Sequence, residues 1–243
     1  MFGGTRKAAR ARIFCFHHAG GGASMYRKWV EDLPPELDLY AVQLPGREFR
    51  IREASFTQLE PLVQELARVL GPLLEQPFAL FGHSMGATVA FELARELRRR
   101  GARQPLMLGA SGRIAPHCRS RFTPVQELTE AQLVEKLKRG GGLPDYVLNE
   151  PELMAMVLPL VRSDYKIVDG YRLTPEPPLT FPIAAFYGLD DVLTTPEEIT
   201  GWQQHTTGAF SVQALPGDHF FLANARREIL WTLSRGILQA LDR

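Results

Sequence analysis

The sequence predicts an α/β protein with a mostly parallel central sheet flanked by helices, and three observations predict it. Short apolar runs of strand length alternate with segments whose apolar residues recur at helical spacing. Several of these runs end in glycine- or proline-rich loops, as strands entering crossover connections do. Finally, 243 residues that are 45% apolar and 23% charged make an ordinary globule, with a core large enough to need no staples.

Each element follows in order. Arg6, Lys7, Arg10 and Arg12 give a basic start that reads as a solvated tail, and the apolar stretch after it is too short for a signal peptide. Residues 12–16 form a buried strand that ends in His17-His18-Ala19-Gly20-Gly21-Gly22. Ser24 caps a helix through Asp32, with Met25, Trp29 and Val30 facing inward. Residues 37–44 are a second strand, closed by Pro45-Gly46. Leu59, Leu62, Val63, Leu66, Leu70 and Leu73-Leu74 mark a helix that tolerates Pro61 in its first turn. Residues 78–81 are the next strand, running into Gly82-His83-Ser84-Met85-Gly86. Val89, Ala90, Leu93, Ala94 and Leu97 then share one helix face. Arg95, Arg98, Arg99 and Arg100 load the end of that helix as a solvated cationic terminus that suits its dipole. Residues 105–110 continue the sheet.

From Thr123 to Arg172 the rhythm breaks into two helical segments around Gly140-Gly141-Gly142. Thr129 with Gln132, and Asn149 with Glu152, each form a capping box. About 50 residues is too long for a simple connection, and the segment is read as a helical lid inserted in one domain that spans 1–243. Met154, Met156 and Leu160 fit the insertion's own core better than an acyl channel. Residues 181–187 and 210–215 complete the sheet, and a helix over 225–241 closes the chain.

Composition excludes several functions. With 28 Lys+Arg against 27 Asp+Glu, the chain lacks the basic excess of a nucleic-acid binder. No apolar run approaches the ~20 residues of a membrane span. Cys15 and Cys118 make neither a disulfide framework nor a zinc site, which fits a reducing, cytoplasmic compartment. No cofactor and no metal is expected.

The chemistry sits at three strand ends. Gly82-x-Ser84-x-Gly86 between a strand and a helix is a nucleophile elbow: the turn is tight enough to project the Ser84 hydroxyl, and the helix N-terminus behind it favours an oxyanion. A serine nucleophile needs a base and a carboxylate that orients the base. Gly188-Leu189-Asp190-Asp191 and Gly217-Asp218-His219 end the last two strands, on the edge where open α/β sheets place their sites. His219 is the candidate base and Asp191 the candidate acid. Adjacency leaves Asp190 open, and both aspartates could instead cap the helix that begins near Thr195. Asp218 points away from its neighbour. The glycine-rich loop His17-His18-Ala19-Gly20-Gly21-Gly22 after the first strand and Met85, after the nucleophile, supply the two oxyanion N–H groups. His17, His18 and His83 read as locally packed residues rather than metal ligands, and His117 and His205 carry no signal.

These stretches, with Leu44-Pro45-Gly46-Arg47, Arg162-Ser163-Asp164-Tyr165 and Gly217-Asp218-His219-Phe220-Phe221-Leu222, run collinearly from about residue 12 to 240. Together they resemble the type II, editing thioesterases of polyketide and nonribosomal peptide synthesis, which are α/β-hydrolases. The resemblance implies Ser84 as nucleophile, His219 as base, Asp191 as acid and Ala19 with Met85 as oxyanion donors. It also implies a flexible lid and an acyl substrate on the phosphopantetheine arm of a carrier protein. His17 departs from the proline common in the family, which should reshape the loop without removing the Ala19 N–H. The expected partner is an acyl or peptidyl carrier protein, with no nucleic acid, no membrane, and a monomeric enzyme. Two other readings are a general medium-chain acyl-CoA thioesterase or carboxylesterase, and a non-catalytic module that binds carrier protein. The intact set of three residues argues against the latter.

Overall fold

The structure is a computed structural model that describes residues 2–4, 6, 8–139, 147 and 149–242. Its centre is a seven-stranded sheet in the order β1-β3-β2-β4-β5-β6-β7. The strands are β1 (Phe2–Gly3), β2 (Ala11–Phe16), β3 (Leu37–Ala41), β4 (Phe78–His83), β5 (Leu108–Ser111), β6 (Ile183–Gly188) and β7 (Phe210–Leu215). Strands β2 to β7 are mutually parallel, and β1 pairs antiparallel to β3. The helices are α1 (Leu59–Leu70), α2 (Met85–Arg99), α3 (Glu130–Arg139), α4 (Pro151–Gly170), α5 (Pro196–Thr200) and α6 (Arg226–Leu241).

The period-2 alternation of the central strands sorts their side chains onto two faces. Phe14, Phe16, Phe78 and Leu80 pack with Leu62, Leu66, Val89 and Leu93 of α1 and α2 on one side. Ile13, Cys15, Phe81 and Phe186 pack with Tyr26, Trp29, Leu233 and Ile237 on the other. Every residue of β4 is buried, which is why its sequence lacks a polar alternation. Between β5 and β6 the chain leaves the sheet for α3 and α4. These have a core of their own in Val125, Leu133, Leu137, Met154, Leu158 and Val161.

Several local expectations change. The segment after the glycine-rich loop is a 3-10 helix over Ala23–Asp32 with Gly22 at its N-cap, and Ser24 instead donates from Oγ to Glu48 at 2.6 Å. The second strand stops at Ala41, three residues short. The basic start is not a free tail: Arg6 donates to the carbonyls of Val30, Leu33, Pro34 and Leu37, and its backbone N–H to Asp38. Arg12 lies over the Tyr40 ring. Arg95 is buried against Glu92 and Glu176, so the arginines of α2 form a tertiary network that includes one unsolvated member. The Thr129–Gln132 capping box forms in both directions. The Asn149–Glu152 box does not, because α4 starts with Glu150 as N-cap and Pro151 in its first turn. The triple glycine at 140–142 lies outside the described residues. No helix among the described residues is long and apolar enough to cross a membrane.

Candidate active site

The elbow is built by crowding. Ser84 sits between β4 and α2 at φ 54°, ψ −115°, a region that a residue with a side chain enters at a cost of about 1–3 kcal/mol. A Cβ on Gly82 would lie 2.0 Å from the Gly86 carbonyl oxygen, and one on Gly86 would lie 2.1 Å from that of Phe16. Glycine at both positions therefore lets strand, turn and helix touch. The Ser84 N–H donates to the Ser111 carbonyl at 2.7 Å, which pins the strained residue to β5. Met85 opens α2, where first-turn N–H groups have no partner within the helix.

The ends of β6 and β7 bring the other two residues together. Asp191 is buried and accepts from the Leu193 N–H at 2.8 Å and the Thr194 hydroxyl at 3.3 Å. Its Oδ2 lies 2.8 Å from Nδ1 of the buried His219. Asp190 is exposed, and Asp218 accepts from the Phe220 N–H in its own turn, so neither reaches His219. The helix cap near Thr195 is made by Thr195 and Glu198, which frees both aspartates from that role. Gly188 is needed for this approach, since a Cβ there would lie 2.3 Å from the Asp218 carbonyl oxygen. Gly112, at φ 58°, does the same on the far side, where a Cβ would press into the His83 ring at 2.5 Å.

Three neighbouring histidines hold the shape. His83 Nδ1 pairs with the Ser111 hydroxyl, and its ring lies 5.0 Å from that of His219. The Nδ1 atoms of His17 and His18 pair with the carbonyls of His18 and Ala19. Burial holds His17 and His83 well below the ordinary value, with Arg47 adding to the effect at His17 and His219 at His83. Burial lowers His18 to about 4. All three are thus neutral near pH 7 and place no second cation beside His219. Among the described residues, no group of three or more His, Cys, Asp or Glu is placed to hold a metal.

Sequence reasoning quoted Arg47 and Asp164 but gave them no role. They form a buried, two-pronged ion pair, at 2.7 and 2.9 Å, across 117 residues. Asp164 Oδ2 also accepts the Gly20 N–H at 2.7 Å, and Arg47 donates to the Gly21 carbonyl at 3.3 Å. The pair ties α4 to the loop that carries Ala19. A signal was available: Asp164 follows Leu160 and Val161 at helical spacing, an acid on an otherwise apolar face.

Ala19, Ser84 and His219 all line a cavity of about 690 Å³ between the sheet edge and the insertion, with Leu128, Leu137 and Phe220 among its walls. Met154 and Leu160 are buried, Met156 is largely exposed, and none of the three lines this cavity. Such an arrangement suits attack by a serine on an acyl carbon with the acyl chain in an apolar chamber.

Comparison with known proteins gives a consistent picture. Residues 11–236 match the family model described as a thioesterase domain. The chain is 38% identical to the gramicidin S biosynthesis protein GrsT of Aneurinibacillus migulanus, over 93% of this chain and 88% of that protein. It is 34% identical to the medium-chain S-acyl fatty acid synthase thioesterase of Rattus norvegicus, over 89% of this chain and 83% of that one. Among solved structures, the RedJ thioesterase of the prodiginine pathway of Streptomyces coelicolor superimposes with a TM-score of 0.88 at 39% identity, covering 94% of this chain and 86% of RedJ.

Proposed function

The chain belongs to the thioesterase family and is a hydrolase of thioesters, and from that premise we propose that it clears acyl groups from the phosphopantetheine arm of carrier proteins by means of Ser84, His219 and Asp191. The observation that carries this reading is the 2.8 Å contact between His219 Nδ1 and the buried Asp191, beside a cavity whose wall holds His219 and Ser84 on a strained elbow.

Asp191 fixes the His219 tautomer, with the proton on Nδ1, so that Nε2 is the basic nitrogen. Nε2 takes the Ser84 proton as Oγ attacks the thioester carbonyl. The N–H groups of Met85 and Ala19 hold the oxyanion, at a contribution of about 10²–10³ in turnover for each such donor. The C–S bond breaks, His219 returns its proton to the pantetheine thiol, and water activated by His219 then hydrolyses the acyl-serine to the free acid. The insertion over 123–172 serves as a lid on the acyl chamber, and Asp164 with Arg47 are positioning residues for the Ala19 loop.

Hydrolysis of one acyl group presented on carrier protein, on coenzyme A and as a simple ester, with Ser84→Ala as control, tests the proposal. The carrier-bound thioester should give the highest kcat/KM, and Ser84→Ala should abolish all three activities. Equal efficiency on the ester would favour a carboxylesterase. Equal efficiency on coenzyme A would favour the medium-chain acyl reading, which the apolar chamber and the fatty acid synthase relative support.

A further inference from the structure

The apolar chamber shares Ser84, His219, Lys136 and Tyr165 with a second cavity of about 60 Å³, and the two differ in chemistry. The smaller one is lined by charged groups: Arg113, Arg121, Lys136, Asp169 and Glu198. Arg121 is committed to Glu198 at 2.8 Å. Asp169 uses Oδ2 to accept the Val125 N–H at 2.7 Å. The guanidinium of Arg113 and the ammonium of Lys136 have neither a hydrogen bond nor a carboxylate within ion-pair distance among the described residues. Lys136 Nζ lies 5.0 Å over the Tyr165 ring and 5.9 Å over that of Phe122. Arg113 lies in the field of Tyr171, Asp169 and Tyr165.

Two cations therefore answer to one carboxylate beside the proposed nucleophile. Burial acts against the charged forms of both. An unpaired cation out of bulk water is unfavourable, and where such groups persist in a cleft they mark a place for a ligand. A single negative charge with two acceptor oxygens complements them, the shape that an arginine fork takes in two-pronged fashion. At roughly 15 Å³ for each water-sized group, 60 Å³ holds about four such groups, the size of a carboxymethyl unit.

We propose that this smaller cavity is a carboxylate subsite: Arg113 and Lys136 receive the distal carboxylate of a short dicarboxylic acyl group whose thioester carbonyl lies at Ser84. The assignment rests on the reading of Ser84 as the thioesterase nucleophile. Apolar acyl chains enter the large chamber and short acidic ones the small cavity, so the enzyme accepts two chemical classes through one serine. Tyr165 lines both cavities, and burial raises its hydroxyl to about 12, which keeps it neutral.

Succinyl and butyryl thioesters on the same carrier protein differ at the distal end by a carboxylate against a methyl group. Arg113→Met should lower the ratio of succinyl to butyryl kcat/KM by about tenfold or more, mainly through KM, as expected for loss of a desolvated charge pair. Arg113→Lys should retain most of the ratio, and Lys136→Met should lower it by less. A separate measurement avoids catalysis: calorimetric titration of succinate into the Ser84→Ala protein should show binding that butyrate lacks and that the Ser84→Ala, Arg113→Met double variant loses. An unchanged ratio in a folded Arg113→Met enzyme, or no preference for succinate over butyrate, would overturn the subsite. A wild-type protein that cleaves neither thioester would instead count against the thioesterase mechanism, and the succinate titration would still decide the subsite.

Discussion

The two walls of the acyl chamber are held by different means. On the sheet side, Ser84, Asp191 and His219 stand at strand ends, the latter two buried, and glycines at 82, 86 and 188 leave no room for adjustment. On the insertion side, α3 and α4 rest on a small apolar cluster and a few polar ties: Arg47 to Asp164, Arg162 to the carbonyls of Val125 and Leu128, and Val125 to Asp169. In the proposed mechanism the first wall fixes the reacting atoms, where an ångström matters. The second shapes what may enter, and a small cluster with discrete ties permits movement without unfolding the sheet. The proposed mechanism thereby assigns chemistry to a stiff region and selectivity to a compliant one.

The largest expected effects lie in the stiff wall. Ser84→Ala should reduce turnover by on the order of 10⁶, and Asp191→Asn by about 10⁴, while the exposed Asp190→Asn stays within a few-fold. Steady-state kinetics on one thioester would read all three, and a larger loss for Asp190→Asn would break the assignment of the acid. Next comes the joint between the walls. Asp164→Asn leaves Arg47 buried without a counter-ion and should cost about 3–5 kcal/mol, read by denaturant unfolding. If the pair positions the Ala19 loop, kcat should fall about 10- to 100-fold with KM little changed. A rise in KM alone would place the pair's role in the chamber instead.

Within the compliant wall, Leu137→Ala should destabilise by about 2–5 kcal/mol at most, less if the insertion relaxes, and should move acyl preference toward longer chains. Thr129→Ala removes one half of a formed capping box and should cost only about 1 kcal/mol. Acidification should separate the walls in the opposite sense. His17, His18 and His83 have folded-state values below the ordinary 6.5. The unfolded chain therefore binds the extra protons first, and stability falls as pH drops below about 6.5. The part owed to His18 stops growing near its folded value of about 4. Hydrogen exchange between pH 7 and 5 should show protection lost first around the glycine-rich loop and elbow, and uniform loss would refute a local origin.

How far each wall is legible in the sequence follows from how local its causes are. The succession of strands and helices along the chain and the elbow are written in short apolar runs and in glycines two residues either side of a serine. Such patterns act over a few residues, so periodicity reveals them. The extra edge strand at Phe2–Gly3 was hidden because two residues carry no period, and the second strand ends early because, after the Val42 N–H bonds the Cys15 carbonyl, Leu44 is buried by packing outside the ladder. The Asn149–Glu152 box was a correct pattern displaced by Pro151, whose fixed φ suits the first turn.

By itself the sequence determined the α/β order, the placement of a helical insertion before the last two strands, and three candidate residues at strand ends. Only the tertiary structure decided between Asp190 and Asp191 as the neighbour of His219, because adjacent side chains at a strand end diverge and packing alone buries one of them. It also decided that Arg47 meets Asp164 across 117 residues and that Arg113 and Lys136 have no such partner among the described residues. Charge pairing depends on distance in space and on the water excluded around it, neither of which a linear order of residues contains.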